Sequence, residues 1–352
     1  RSASNNGGRL RCPSFSKKTS PGKFESTRGD ALEVFRSRVG SGSEGRVFRG
    51  KMTIVGQVPI YVCVKQIRSG SEREFRRLEG LHREGVVPRV VLPLGTINCP
   101  SFSGIVLPAY DNSLDPMSNE LLSFAQGWPC ANIESVFVDV LLDLFKHVAF
   151  GVKGMHKNGF SHRDIKPDNI VVSTKKRGGL EYLSPVLIDL GLTTENDSGC
   201  GPVGTAYTMH PSLLAHSHVD FRSADIWSLT ASLIHVVCKF QNKGCYGDEN
   251  PQFVQDINTK HKQALRLNVV RGFELINGEY SEIHVSEQAK EAGAYSSNLI
   301  PGSVSHDLVQ TLQKSILGPL YRGDSVTIVD FLTILSKFRS KTEDSQTFVH
   351  AF

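Results

Sequence analysis

Residues 161–172 read SHRDIKPDNIVV, and this stretch constrains the chain more than any other. Ahead of it, VFVDVLLDLFKHVAFGVKGMHKNG sets Leu141, Leu144, Val148, Val152 and Met155 on one helical face, and Gly159 fits the helix stop. An apolar, strand-like run follows. An acid, a cation and an amide are therefore held between a helix and a strand, at intervals of two and three residues. A connection that only had to turn could use Gly, Ser or Asn in many orders. These three groups suit the movement of a phosphoryl group. Asp164 can orient an attacking hydroxyl and accept its proton. Lys166 can stabilise charge on the moving group. Asn169 can offer an amide oxygen to a divalent metal, with Pro167 stiffening the turn.

Three further stretches complete such a site. GSGSEGRV, residues 40–47, places Gly40, Gly42 and Gly45 around Ser41 and Ser43, leaving backbone amides uncovered for phosphate oxygens. The same spacing marks dinucleotide sites, but there it opens a helix; here Val47 leads into β-type sequence. VCVK sets Lys65 among alternating apolar residues, where its charge needs a partner. Glu74 on the following helical stretch suits that role; Glu72 and Glu79 compete, Glu79 from another face. VLIDLGLTT presents Asp189 at the end of an apolar run, a second hard oxygen ligand that with Asn169 suits Mg²⁺ shared with substrate phosphates.

The chain has 352 residues, 39% of them hydrophobic and 21% charged, enough for two units with their own cores. From Leu32 to Leu107 the runs EVFRSRVG, RVFRG, PIYVCVKQI and GIVLPAY predict strands, interrupted by one helix in SEREFRRLEGLHREG. Beyond Tyr110 the pattern is helical: SADIWSLTASLIHVV predicts a helix buried on most sides, and TIVDFLTILSKF an amphipathic one with Thr327 and Asp330 spaced as a capping box. STKKRGGLEYLSP predicts a solvated hairpin between Asp164 and Asp189. Residues 241–300 are weakly patterned and predict an insertion, and residues 343–352 a tail. Residues 1–38 carry nine basic and three acidic side chains, against a net charge of +5 for the whole chain. Ser, Gly and Pro dominate the lead without aromatic interleaving, so residues 1–31 predict a flexible basic linker rather than a nucleic-acid arm. Seven scattered cysteines without a CxxC pair argue against structural zinc and for a reducing, intracellular setting, cytoplasmic or nuclear. The start at Arg1 reads as a processed or excised piece. No apolar run reaches the length of a membrane span.

The glycine loop, VCVK, HRDIKPDN, DLG and SADIWSLT follow one another in the order of the eukaryotic protein kinases, and the chain resembles that family over residues 33–340. The resemblance implies an α+β, bilobal fold: a β-rich N-lobe over 32–109, a mainly helical C-lobe over 110–342, and an ATP cleft between them. It implies that Gly40, Gly42 and Gly45 cover ATP, that Lys65 holds its α- and β-phosphates and pairs with Glu74, and that Leu107 is the gatekeeper. Pro108, Ala109 and Tyr110 would form the hinge reaching adenine. Asp164 would be the catalytic base, with Asn169 and Asp189 holding Mg²⁺, or Mn²⁺ in its place. Lys166 is typical of the serine/threonine branch, Thr205 in GTAYTMHP would sit against Lys166 and Asp164, and protein substrates follow. Arg163 resembles the arginine of kinases whose activation loop is ordered by phosphate, with Thr193, Thr194 and Ser198 as candidate acceptors. The 241–300 insertion is where a regulatory partner would dock.

The sequence departs from the family at several points. Leu190 replaces Phe after the metal aspartate, and Thr230 replaces a Gly. In MHPS, Ser212 stands where the family has Glu, and Ser325 where it has the partner Arg; losing both together is expected to be tolerated. A kinase-shaped scaffold is one rival reading, supported by MHPS alone. A small-molecule phosphotransferase is another, but it would lack Lys166 and the GTAYTMHP segment.

Overall fold

In this computed structural model, residues 13–338 are described apart from 43–44, 68–71, 122–132, 206–207, 244–302 and the single positions 84, 111, 116, 119, 178 and 215. The insertion assigned to 241–300 and the tail at 343–352 therefore lie almost wholly outside the described residues. The chain divides after Tyr110 into two units.

Alternation builds the first unit. Seven strands form its sheet: β1 (Ser14–Ser20), β2 (Lys23–Ser26), β3 (Ala31–Gly42), β4 (Gly45–Thr53), β5 (Ile60–Ile67), β6 (Gly95–Cys99) and β7 (Phe102–Pro108). Neighbours run in the order β1-β2-β3-β4-β5-β7-β6. Residues two apart turn inward on β5 (Val62, Val64) and β6 (Ile97, Cys99), and with Phe15, Phe24, Leu32, Met52 and Val106 they form one buried cluster. One helix, α1 (Glu72–Leu81), follows β5 and buries Leu78 and Leu81. His82, just beyond it, is clamped at both ring nitrogens. Nδ1 accepts from the Val87 amide at 3.0 Å and Nε2 donates to the Val91 carbonyl at 3.0 Å. Burial holds its pKa below the ordinary histidine value.

The strands β1 and β2 correct the expectation of a flexible linker over 1–31; residues 1–12 remain outside the described set. β1 pairs antiparallel with β2 and, at Ser14 and Phe15, parallel with β6. The physical reason is two aromatic residues at inward positions, Phe15 and Phe24, exposed by 0% and 2%. A Cβ on Gly95 would stand 2.7 Å from the Pro13 carbonyl oxygen, so glycine there permits the close approach of the leading segment. Asp30 ties off the hairpin: its carboxylate accepts from the Ser26 hydroxyl at 2.8 Å and the Val55 amide at 3.2 Å.

The second unit is mainly helical. Its longest helix, α2 (Ile133–Lys157), buries all five residues of the face predicted for it, from Leu141 to Met155. It stops where Gly159 takes φ +79°, an αL position that costs glycine little. The short strand β8 (Asn112–Ser113) joins a hairpin of β9 (Ile170–Arg177) and β10 (Leu180–Leu187). Helix α3 (Pro211–Leu214) leads to a two-stranded pair of β11 (Ser198–Gly199) with β12 (Val219–Asp220). Helix α4 (Phe221–Lys243) follows and is buried on nearly every side from Ala224 to Val237. Helices α5 (Val304–Leu312), α6 (Gly318–Arg322) and α7 (Ile328–Phe338) close the unit. The capping box is present: the Thr327 hydroxyl and amide donate to Asp330 at 2.6 and 2.8 Å, and those bonds, the hydroxyl's first, hold the Asp330 carboxyl below the usual range. No described helix is long and apolar enough to cross a membrane.

Candidate active site

In the second unit, the loop from Phe160 to Asn169 takes its shape from one buried carboxylate. Asp225, on α4, is 1% exposed. Its Oδ2 accepts from the His162 amide at 2.8 Å and lies 3.0 Å from His156 Nε2, and its Oδ1 accepts from the Arg163 amide at 2.8 Å. A carboxylate this deep is tolerated because donors surround it. His162, fully buried, adds a second brace: Nε2 donates to the Ile188 carbonyl at 3.0 Å while Nδ1 accepts from the Asp164 amide at 3.2 Å. Arg163 sits in the left-handed region at φ +70°. The loop is thus fastened to α4, to the end of α2 and to the segment before Asp189, and Asp164 is carried at its tip.

Asp164, Lys166, Asn169 and Thr205 come together there, as the sequence implied. The Thr205 hydroxyl donates to Asp164 Oδ1 at 2.7 Å and accepts from Lys166 Nζ at 2.7 Å. Lys166 Nζ also lies 3.2 Å from Asp164 Oδ2. Asn169 Nδ2 donates to both the carbonyl and Oδ2 of Asp164, at 2.9 and 3.0 Å. Its Oδ1 is therefore the end of the amide turned to other work, which suits a hard cation. Gly204, at φ +106°, is the residue that lets Thr205 in: a Cβ there would fall on the Arg163 carbonyl oxygen. Asp189 is also left-handed, at φ +62°, and stands just before the turn Leu190–Leu192, whose Leu190 is fully buried, without capping it through its side chain. A strained, half-exposed carboxylate at the mouth of a tight turn fits a metal ligand. Among the described residues no three His, Cys, Asp or Glu cluster as a self-sufficient metal site, so an ion there would draw ligands from its substrate.

The first unit holds the other predicted residues. Lys65 is 8% exposed and stands across β5 from Val47 on one side and Ile105 on the other. Gly40, Ser41 and Gly42 end β3, and Gly45 opens β4, with Gly42 paired to Gly45 across the hairpin. The glycine stretch is a strand-to-strand turn, not the start of a helix. Ser43 lies outside the described residues. Glu74 is within α1, but its side chain, and with it the pairing expected with Lys65, lies outside the described residues. Leu107 is half-buried, Ala109 exposed, and the Tyr110 hydroxyl is pushed up to about 12 by burial, with Cys63 adding to it.

Three details differ from the sequence reading or escaped it. Thr193 is 0% exposed, which removes it as a phosphate acceptor on the folded chain. Thr194 is half-buried and exchanges two backbone hydrogen bonds with Ser161; Ser198 is exposed. The sequence reading does not single out the anchoring carboxylate, Asp225, inside SADIWSLT, although an acid in an apolar helix is itself a signal. Around MHPS, His210 occupies the space near Ser212. It is 2% exposed, packs edge-on against Trp227 at 4.7 Å, and accepts from the Ser212 amide at 3.2 Å. Burial pushes its imidazole down to about 4, opposed by the nearby Leu320 backbone, although Nε2 makes no well-formed hydrogen bond among the described residues. Ser325 is exposed.

Polar groups gathered on a loop between helix and hairpin in one unit, and a buried lysine in a β-rich other unit, are the parts of a kinase-type phosphotransfer fold. The protein kinase domain family matches residues 34–291. The chain belongs to that family. It is similar to a probable serine/threonine-protein kinase of Dictyostelium discoideum, 28% identical over 60% of this chain and 31% of the relative. It is similar as well to calcium-dependent protein kinase 4 of Plasmodium berghei, 27% identical over 57% of this chain and 41% of the relative. Human MAP kinase-activated protein kinase 2 matches at 26% identity over 42% of this chain and 34% of its own length. The chain spans less than half the length of these curated relatives.

Proposed function

We propose that the chain is a serine/threonine protein kinase that moves the γ-phosphoryl group of ATP to hydroxyls of protein substrates. The observation that carries this is the Asp164–Thr205–Lys166 bridge, with both contacts at 2.7 Å. An acid and a cation already hold a hydroxyl between them, which is the environment an acceptor serine or threonine needs. In this reading Asp164 orients the incoming hydroxyl and takes its proton as the oxygen bonds to the γ-phosphorus and the bond to the ADP oxygen breaks. Lys166 steadies the charge on the moving group. Asn169 and Asp189 would hold Mg²⁺ with the phosphates, supplying charge neutralisation. Lys65 would hold the α- and β-phosphates beneath the glycine turn of residues 40–45, with Leu107, Ala109 and Tyr110 toward adenine. The buried anchor at Asp225 keeps the base in place without solvent reorganisation.

The test is transfer of labelled phosphate from ATP with Mg²⁺ to a generic basic protein, with Asp164→Asn beside the parent. Label in the parent and a loss on the order of 10²-fold or more in the variant are expected. No transfer by the parent would leave a nucleotide-binding scaffold. Equal transfer by both would take the base role away from Asp164.

A further inference from the structure

Arg163 precedes the proposed base, and the family resemblance reads it as a phosphate-seeking arginine. The structure gives its guanidinium a different neighbour: the ring of Phe221, with the cation 4.4 Å from the ring centroid. Phe221 opens α4 and is 3% exposed. Its ring also meets the segment that follows Asp189. A Cβ on Gly199 would stand 2.6 Å from the tip of that ring, so only glycine lets β11 lie this close. Met209, Leu213 and Ala224 pack in the same small cluster. One aromatic ring thus touches the catalytic loop, the activation segment and the residues around the MHPS stretch.

The backbone and charges around it are equally settled. Ser198 and Gly199 pair with Asp220 and Val219. The Phe221 amide donates to the Asp197 carbonyl at 2.8 Å, and Arg222 meets the Asp197 carboxylate at 3.2 Å. Asp220 caps the helix by accepting from the Ser223 amide at 2.7 Å. A carboxylate on the segment, an arginine on the helix and a ring beneath Arg163 together do what a phosphate paired with arginines does elsewhere.

We propose that Phe221 is a positioning residue for phosphotransfer: it holds Arg163 and the 197–201 segment in their working arrangement with no phosphate on that segment. This rests on the kinase reading above. A phosphate on Ser198 would sit opposite Asp220, a like-charge neighbour, and is not the ordering device.

The experiment takes the parent chain, phosphatase-treated and checked by mass spectrometry, with Phe221→Leu, Arg163→Gln and the double variant. Phe221→Leu keeps an apolar side chain at the position, somewhat smaller, and loses the ring face. The expected result is full kcat in the dephosphorylated parent and a drop on the order of tenfold in Phe221→Leu, with KM for ATP held and the variant still folded at the assay temperature. The double variant should lose no more than the worse single one, because the two act as a unit. Dephosphorylation that abolishes turnover overturns the proposal. So does a Phe221→Leu variant with parental kcat, or losses that multiply in the double. Phe221→Met serves if the leucine variant does not fold. If the parent transfers no phosphate at all, the kinase reading falls, and amide exchange then judges the clamp. Faster exchange over residues 197–201 in Phe221→Leu supports it, and unchanged exchange overturns it.

Discussion

The two units reach order by different means. In the first, strand register does the placing: Lys65 is where it is because Val47 and Ile105 flank it across the sheet, and its neighbours alternate inward. In the second, buried polar anchors do it: Asp225 and His162 hold a loop that has no regular structure of its own until Pro167. Side chains placed by register fail gradually, since every pair shares the load. Those placed by an anchor fail at once, since one carboxylate fixes three donors.

That contrast can be broken at its strongest point. Asp225→Ala leaves the amides of His162 and Arg163 buried and unpaired. A loss of about 3–5 kcal/mol in unfolding free energy is expected, with transfer activity abolished. Denaturant unfolding and a transfer assay on the soluble fraction check both; near-parental values would show that the loop holds itself. Next in size is Phe15→Ala, which tests whether the β1–β2 hairpin belongs to the first unit. Removing a fully buried ring should cost about 3–4 kcal/mol, whereas a residue on a linker would cost nothing measurable.

Acid provides a third comparison, because each unit carries a buried neutral imidazole. The unfolded His210 ring takes up its proton near 6.5 and the folded one only near 4. Between those values the unfolded state binds more protons, so stability is complete above pH 6.5 and falls as pH drops toward 4, by about 3 kcal/mol. His82 contributes with the same sign and a smaller shift, since its pKa is lowered as well. Thermal midpoints across that window, with His210→Phe beside the parent, should show a flatter pH slope in the variant. The smallest effect is expected at Lys176, whose pair with Glu181 at 2.6 Å is solvent-exposed on the lysine side. Lys176→Ala should leave both midpoint and activity unchanged.

What the sequence made legible follows the same division. Asp164, Lys166 and Asn169 stand out because polar groups at fixed spacing beside an apolar helix and strand are costly to keep without a use, whereas Thr205 comes only from the family resemblance. The five-residue face of α2 was readable from helical period alone. The hairpin of β1 and β2 was not, because two aromatics scattered among lysines and serines resemble a linker until β6 supplies a wall for them. Phe221 and Gly199 could not be found either, since their meeting depends on two segments more than twenty residues apart. His210 read merely as part of an odd MHPS; only its packing on Trp227 shows what fills the room beside Ser212.

The β9–β10 hairpin carries a consequence for anyone wishing to build on this chain. Its base is fixed beside the site, where Leu187 pairs with Ile170 and the Ile188 amide donates to the Asn169 carbonyl at 2.9 Å. Its tip is another matter: Gly179 turns at φ +83° with nothing within 4 Å of where a Cβ would be. Eight residues of pairing on each side separate that tip from Asn169. The hairpin is a ready-made handle, on which an inserted epitope or fluorescent reporter would ride in solvent while its rigid stem keeps the cargo from tugging on the chemistry.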